Sequence, residues 1–518
     1  MRNRITRATT VLGAAVAGVA LAFAVATVAG SRPALASTNP SVPLSIAIDG
    51  NHFVNGAGET IRLLGVDRPG TEYACEEGWA DSDGDDSAVA AAADAAAIAS
   101  WDANAVRVPL NEDCWLGINS QPSYGTASGY QQVVEQYVAD LNADGIYAIL
   151  DLHWSAPQTN VADGQRPMPD DHSAAFWTSV ADTFKANPAV VFDAFNEPYS
   201  PAADYTDAAS YPVSWSCWQS GGCTLPVTVD GTDPGADPQT YTAVGMQALV
   251  DAIRATGASQ PILLGGLAYA NDLSGWISHE PADPDHQLGA SFHNYEGEAC
   301  STLTCWNNEI APVAAQVPVV TGEFDENQCP ATGDDFDLAY MNWADETGIS
   351  YLAWGWFVPD SSCDYQLIDA SDTPVAPNGT AVHDHLASLA TTSTGTTSST
   401  TTSTSTAAPT TTTASAPTQT IVTQTPSTTL PVTPLPPGAT TAVDVPPSPS
   451  CVAPRLTGEH LTKARRRLTA AHCRLGRVTG PRRPSSVVAA QHPRAGMRGP
   501  SGLRVALTLK ARRRSDAR

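Results

Sequence analysis

Basic residues are scarce over most of this chain. Of the 27 Lys and Arg in its 518 residues, only ten precede residue 450, where they face 51 Asp and Glu. That segment has a formal charge of −41, which repels nucleic acid and other polyanions but tolerates a neutral polysaccharide. No glycine-rich phosphate loop follows the first apolar strand, which argues against a nucleotide-binding, doubly wound open sheet. The ten cysteines include no Cys-x-x-Cys pair and no histidine stands at ligand spacing, which argues against zinc. Beyond residue 30 nothing is apolar enough to span a bilayer. Residues 391–450 lack aromatics and carry one charge, Asp444. This run of Thr, Ser, Pro and Ala cannot bury a core and reads as a disordered linker.

What is present divides the chain further. Arg2, Arg4 and Arg7 precede an apolar run over 8–30, and Ala34-Leu35-Ala36 is a small-x-small cleavage pattern. Residues 1–36 therefore read as a signal peptide and the protein as secreted and extracellular; an uncleaved membrane anchor is the competing reading. Export and an even cysteine count favour disulfides. Close spacing pairs Cys217 with Cys223 and Cys300 with Cys305. Cys75 with Cys114, and Cys329 with Cys363, each lie just beyond predicted strands at one end of the fold. Cys451 and Cys473 would pair in the tail.

That tail has the opposite charge. After residue 450, 17 basic residues face two acidic ones, a formal +15, which suits contact with an anionic surface such as a cell wall. Within 451–510, Leu461, Ala464, Leu468 and Ala471 share one helical face, and 487–491 and 503–509 alternate like strands, so a small βαββ domain is expected. Residues 511–518 form a basic end.

The body, 41–390, alternates apolar strands with helical stretches. Strands are expected at 61–66, 105–109, 147–153, 190–196, 262–266, 290–295, 317–323 and 350–356. Helices are expected at 87–101, 131–142, 174–186, 240–255 and 336–347. Eight strands separated by helices in about 350 residues predict a (β/α)₈ barrel, an α/β TIM barrel. Ahead of them, 45–48 and 52–54 flank Asp49-Gly50-Asn51 and read as a hairpin closing the barrel bottom.

Active sites of such barrels lie at the C-terminal strand ends. Those ends carry Arg107, His153, Asn196-Glu197, His293 and Tyr295, Glu323, and Trp356. Two glutamates at two strand ends are the equipment of a glycosidase. Partial burial would keep Glu197 protonated as general acid. Glu323 must stay ionised as nucleophile, helped by Arg107 and the Tyr295 hydroxyl. Asn196 suits the sugar 2-hydroxyl, and Trp356 offers an apolar face to the sugar ring. His153 and His293 can donate to substrate hydroxyls or orient the glutamates. Bland readings stand beside these: a strand-end Glu is usually a solvated surface residue, and Arg107 alone fits a structural ion pair. Trp354 and Trp356 share a face by strand alternation, so one can pack while the other stacks, and Trp154 fits packing or a distal platform.

Together Ala105-Val106-Arg107-Val108-Pro109, Leu152-His153-Trp154, Phe195-Asn196-Glu197-Pro198, Phe292-His293-Asn294-Tyr295, Thr321-Gly322-Glu323-Phe324 and Ala353-Trp354-Gly355-Trp356 resemble glycoside hydrolase family 5, the cellulase family of clan A. The resemblance covers the whole body. It implies a retaining double displacement with Glu197 as acid/base and Glu323 as nucleophile, surrounded by Arg107, His153, Asn196, His293, Tyr295 and Trp356. The expected substrate is a β-linked polysaccharide or oligosaccharide, first a β-1,4-glucan cut internally; β-mannan or another β-glycoside is the alternative. A non-catalytic carbohydrate- or wall-binding protein is the rival of another class. No cofactor, metal or nucleic acid is implied, and a monomer is expected. In the tail, Cys451-Val452-Ala453-Pro454, Gly458, Cys473-Arg474-Leu475-Gly476 and Gln491-His492-Pro493-Arg494-Ala495-Gly496 resemble a PASTA domain, which implies a possible peptidoglycan contact.

Overall fold

The computed structural model describes residues 43–394, except 79, 81–87, 124, 203–209, 231–238, 327–334, 359–365 and 370, and parts of 451–511. The expected signal peptide, the linker over 395–450 and the Cys329 and Cys363 pair lie outside the described residues. No helix among the described residues is long and apolar enough to cross a membrane.

The expected hairpin opens the fold. β1 (Ile46–Asp49) pairs antiparallel with β2 (His52–Asn55), and β2 with β3 (Thr60–Ile61). The predicted strand at 61–66 therefore serves two sheets. Its first residue ends β3, and β4 (Leu64–Asp67) begins the barrel. Between them Arg62 turns aside to Asp345, 2.7 Å away.

The barrel continues through β5 (Ala105–Asn111), β6 (Tyr147–Trp154) and β7 (Val190–Asp193). A two-stranded excursion follows, β8 (Thr224–Pro226) with β9 (Thr240–Thr242). Then come β10 (Ile262–Gly265), β11 (Leu288–Tyr295), β12 (Val319–Asp325) and β13 (Ser350–Ala353), and β13 pairs with β4 to close the ring. All eight barrel strands are parallel. The (β/α)₈ expectation holds. The helix expected at 240–255 splits, because Thr240–Thr242 is drawn into β9; the helix itself is Met246–Ala255.

Strand alternation builds two cores. Outward residues such as Val106, Val108, Leu150, Phe192 and Leu264 join the layer shared with the helices. In the helix Ala127–Ala143, Tyr130, Val134, Tyr137, Val138 and Leu141 are buried, the spacing of one helical face, and Thr126 caps its start by accepting from the Gly129 N–H. Inward residues Ala105, Ile149, Val191, Leu263, Val320 and Leu352 form a second apolar cluster with Ile46, Phe53 and Ile61 of the hairpin. The hairpin is thus a plug. It is fastened by the Ile46 N–H to the Pro188 carbonyl at 2.9 Å and by Gln287, which bonds both N and O of Ile48.

Disulfides Cys75–Cys114, Cys217–Cys223 and Cys300–Cys305 are present as expected, and Cys473 is disulfide-bonded. In the tail, β14 (Cys451–Val452) pairs with β17 (Arg498–Gly499), and β15 (Cys473–Thr479), β16 (Ser486–His492) and β18 (Leu503–Ala511) form a sheet in the order β15-β18-β16. Ala464 and Leu468 of the expected helix lie in its small core with Val488, Val505 and Leu507. The strand at Cys473–Thr479 was not foreseen, since Gly476 and two arginines obscure its alternation.

Candidate active site

Two residues above the apolar plug, the same inward faces become charged. Ala105 gives way to Arg107, Ile149 to Asp151 and then His153, and Val191 to Asp193. These four polar side chains follow from this step of two. Arg107 is fully buried at the centre. Its Nη1 donates to Glu323 Oε1 and to Asp67 Oδ2, each at 2.8 Å; its Nε donates to Asp193 Oδ2 at 2.9 Å; its Nη2 donates to Asn196 Oδ1 at 2.7 Å and lies 3.0 Å from Asp151 Oδ2. The structural ion-pair reading of Arg107 is met, and the same guanidinium that holds the barrel aspartates also holds one of the two glutamates.

Glu323 lies on β12 within a break in strand register between Thr321 and Phe324. Tyr295 donates its hydroxyl to Glu323 Oε2 at 2.7 Å. Gly322 is required here: a Cβ at that position would lie 2.8 Å from His293 Nε2 and 3.1 Å from Ser291 Oγ. The glycine lets the imidazole pass close to the strand that carries the glutamate.

Glu197 stands beyond the end of β7, where Asn196 N bonds the Leu152 carbonyl at 3.1 Å. Its Oε1 lies 2.8 Å from His293 Nδ1, with one hydrogen between them. Burial pushes the Glu197 carboxyl up to about 7, against a smaller opposing effect of Gln165. Burial also lowers His153 and His293 to about 4, so both rings are neutral near pH 7. His153 Nδ1 is 2.7 Å from Asp151 Oδ2, and its ring stacks on Trp354 at 5.8 Å. Glu197, His293 and Glu323 each offer an atom within 4.8 Å of the others. Both carboxylates already have protein partners, so the trio is equipped to place and move protons.

Seven of the eight expected residues thus converge: Arg107, His153, Asn196, Glu197, His293, Tyr295 and Glu323. Trp356 does not. It is 1% exposed, its ring meets Trp101 edge-on at 4.9 Å, and its Nε1 donates to Asp94 at 2.9 Å. The expectation that Trp356 presents an apolar face at the site is therefore corrected: its ring is in the core, and Trp354, partly buried, is the tryptophan beside His153. The physical reason is that β13 ends at Ala353, so alternation does not extend to 356. The Trp356 N–H instead bonds the Asp67 carbonyl at 2.7 Å and carries the ring into the core.

Several site residues escaped the sequence reading. Asp151 and Asp193 had a signal, being on the inward face directly below His153 and beside Asn196. Gln165 had none: it reaches in from a loop, donating to the Glu197 carbonyl at 2.9 Å and accepting from Asn196 Nδ2 at 3.2 Å. Glu298, beside the same cluster, is pushed up to about 8 by burial and then by the nearby charge of Glu197.

The family model described as cellulase (glycosyl hydrolase family 5) matches residues 66–358. Similar solved structures include a β-glucanase from Saccharophagus degradans in complex with cellotetraose, at 19% identity and a TM-score of 0.49, covering 67% of this chain and 94% of that one. The catalytic domain of an endoglucanase from Thermobifida fusca matches at 17% identity and a TM-score of 0.44, covering 66% and 97%. That of a mannanase from Streptomyces sp. SirexAA-E matches at 20% and 0.43, covering 63% and 85%. A comparison with curated proteins found no match.

Proposed function

This chain belongs to the cellulase family, glycosyl hydrolase family 5, whose model spans more than half of it, and from that premise we propose a secreted retaining β-glycosidase, first an endo-β-1,4-glucanase. The observation that carries this reading is the pair of glutamates with carboxyl oxygens within 4.8 Å. Retaining enzymes hold their carboxyl groups about 5–5.5 Å apart, whereas inverting ones need about 6.5–9.5 Å to admit a water.

The roles follow from the surroundings. Glu323 receives one hydrogen bond from Arg107 and one from Tyr295, the environment of an ionised nucleophile. It attacks the anomeric carbon. Glu197, held protonated up to about pH 7 by burial, gives its proton to the departing oxygen. Water then displaces Glu323 while Glu197 takes the proton back. Asn196 keeps one amide hydrogen for the sugar 2-hydroxyl after its contact with Gln165. Trp354 supplies the ring-stacking face. The basic tail, as a PASTA-like module, would hold the enzyme on an anionic or peptidoglycan wall. The deciding experiment is NMR of the first-formed anomer from a soluble β-glucan. The β-anomer is expected, and an initial α-anomer would rule the mechanism out.

A further inference from the structure

The charge count under the nucleophile does not balance. One guanidinium, Arg107, faces four carboxyl groups: Asp67, Asp151, Asp193 and Glu323. The other five basic residues of 43–394 are engaged elsewhere: Arg62 with Asp345, Arg68 with Asp94, Arg166 with Asp163, Lys185 with Asp182, and Arg254 with Asp283. Like charges this close in a dry interior do not all ionise. A proton must therefore sit on the cluster.

Donor counting says where. Asp193 Oδ2 accepts from Arg107 Nε and from Ser291 Oγ at 3.3 Å. Asp151 Oδ2 has Arg107 Nη2 and His153 Nδ1. Glu323 has Arg107 Nη1 and the Tyr295 hydroxyl. Asp67 has one donor, and it is the Nη1 that also serves Glu323. Its Oδ1, like Asp151 Oδ1 and Asp193 Oδ1, is buried with no partner among the described residues, so the single donor on Oδ2 is what sets Asp67 apart. We propose that Asp67 is a neutral carboxylic acid in the working enzyme, and that its ionisation divides the charge of Arg107 Nη1 between two anions and so weakens its hold on Glu323. Asp67 is thus a positioning residue for the nucleophile.

The consequence is kinetic and rests on the retaining reading above. While Asp67 is neutral, Glu323 is the only anion on Nη1, whose undivided charge stabilises the carboxylate as it departs when water cleaves the glycosyl-enzyme. When Asp67 loses its proton to solvent, two anions, each on its own N–H of Nη1, draw on the charge of one guanidinium nitrogen, and Glu323 becomes the poorer leaving group. The titratable groups facing Asp67 are Arg107 on β5, Asp151 on β6, Asp193 on β7 and Glu323 on β12, with His153 and His293 above them. Burial, the largest influence, and then the charges of Glu323 and Asp151 all favour the neutral form, against Arg107.

An activated aryl β-glycoside tests this, because its phenolate leaves without a proton and breakdown of the glycosyl-enzyme limits turnover. Wild-type kcat should fall at alkaline pH. In Asp67→Asn, which fixes the neutral form, that fall should move by at least one pH unit to higher pH, with less than a tenfold loss at pH 6. An unmoved alkaline limb, or a loss above a hundredfold at every pH, would overturn the proposal. So would a variant that does not fold, since the amide has the size and charge of the neutral acid. Absence of a pre-steady-state phenolate burst in the wild type would instead count against the retaining mechanism.

Discussion

The lower and upper layers of the barrel interior are built from the same strands and the same face, two residues apart. Below, Ala105, Ile149 and Val191 pack against the hairpin plug. Above, Arg107, Asp151 and Asp193 form a buried ionic cluster. The lower layer stabilises by removing apolar surface from water, about 1.5–3 kcal/mol for a fully buried aliphatic side chain. The upper layer works against stability, since each buried charge loses its hydration and only part of that loss is recovered by pairing. The difference teaches where the fold's stability resides and where its chemistry does. The plug holds the barrel closed so that the strand tips can keep an arrangement they would not adopt for stability alone.

Substitutions in the two layers should separate cleanly. Glu323→Gln is expected to lower turnover by more than about 10³-fold, because no covalent intermediate can form. Its melting temperature should be unchanged or higher, as one of the crowded carboxyl groups loses its charge and Arg107 keeps Asp151 and Asp193. Ile149→Ala, in the lower layer, should do the reverse. It should cost about 2–5 kcal/mol of stability by leaving a cavity, while kcat on folded protein stays within about threefold. Denaturant titration beside steady-state kinetics checks both, and a Glu323→Gln variant as unstable as Ile149→Ala would erase the distinction between layers.

The upper layer is itself divided between the two glutamates. Glu197→Gln is expected to lose about 10²–10⁴-fold on a polysaccharide, where the leaving oxygen needs a proton. Glu197 is raised to about 7, so the wild-type rate on such a substrate should fall as pH rises through that value and the acid is lost. In the glutamine variant the alkaline limb should disappear. A limb that persists would assign the proton to another group, with Glu298, raised to about 8, the first to examine.

Much of this layering was legible in the sequence because it rests on a strict period of two. Apolar runs with a polar residue at the last inward position marked β5, β6 and β12, and the eight-strand count gave the barrel. What was not legible depended on departures from the period. Arg62 leaves the first run to meet Asp345, and this divides one expected strand between two sheets. Residues 240–242 form an edge pair with β8 because the chain detours there, which no local propensity specifies. Gln165 reaches the site from a loop, where spacing carries no directional information. Asp67 ends β4 with nothing in its neighbourhood to show that four carboxyl groups would meet on one arginine.

Trp354 and Trp356 sharpen the contrast at the rim, where the expected effects are smallest. Alternation made them equivalent, but the structure gives them opposite surroundings. Trp356 is enclosed by Trp101 and held by Asp94, and its loss should behave like a core truncation, about 3–5 kcal/mol. Trp354 is only partly buried and stacks on His153, and its remaining exposed surface is what we assign to the apolar side of a sugar ring. Covering that much surface contributes about 1–2 kcal/mol at about 25 cal/mol per Å². Trp354→Ala should therefore raise KM roughly tenfold, with a change in unfolding free energy below about 1 kcal/mol. Measured together, the two variants should exchange places between the binding and stability axes. If Trp356→Ala raised KM without destabilising the fold, while Trp354→Ala did not affect binding, the sugar face would have to be returned to Trp356.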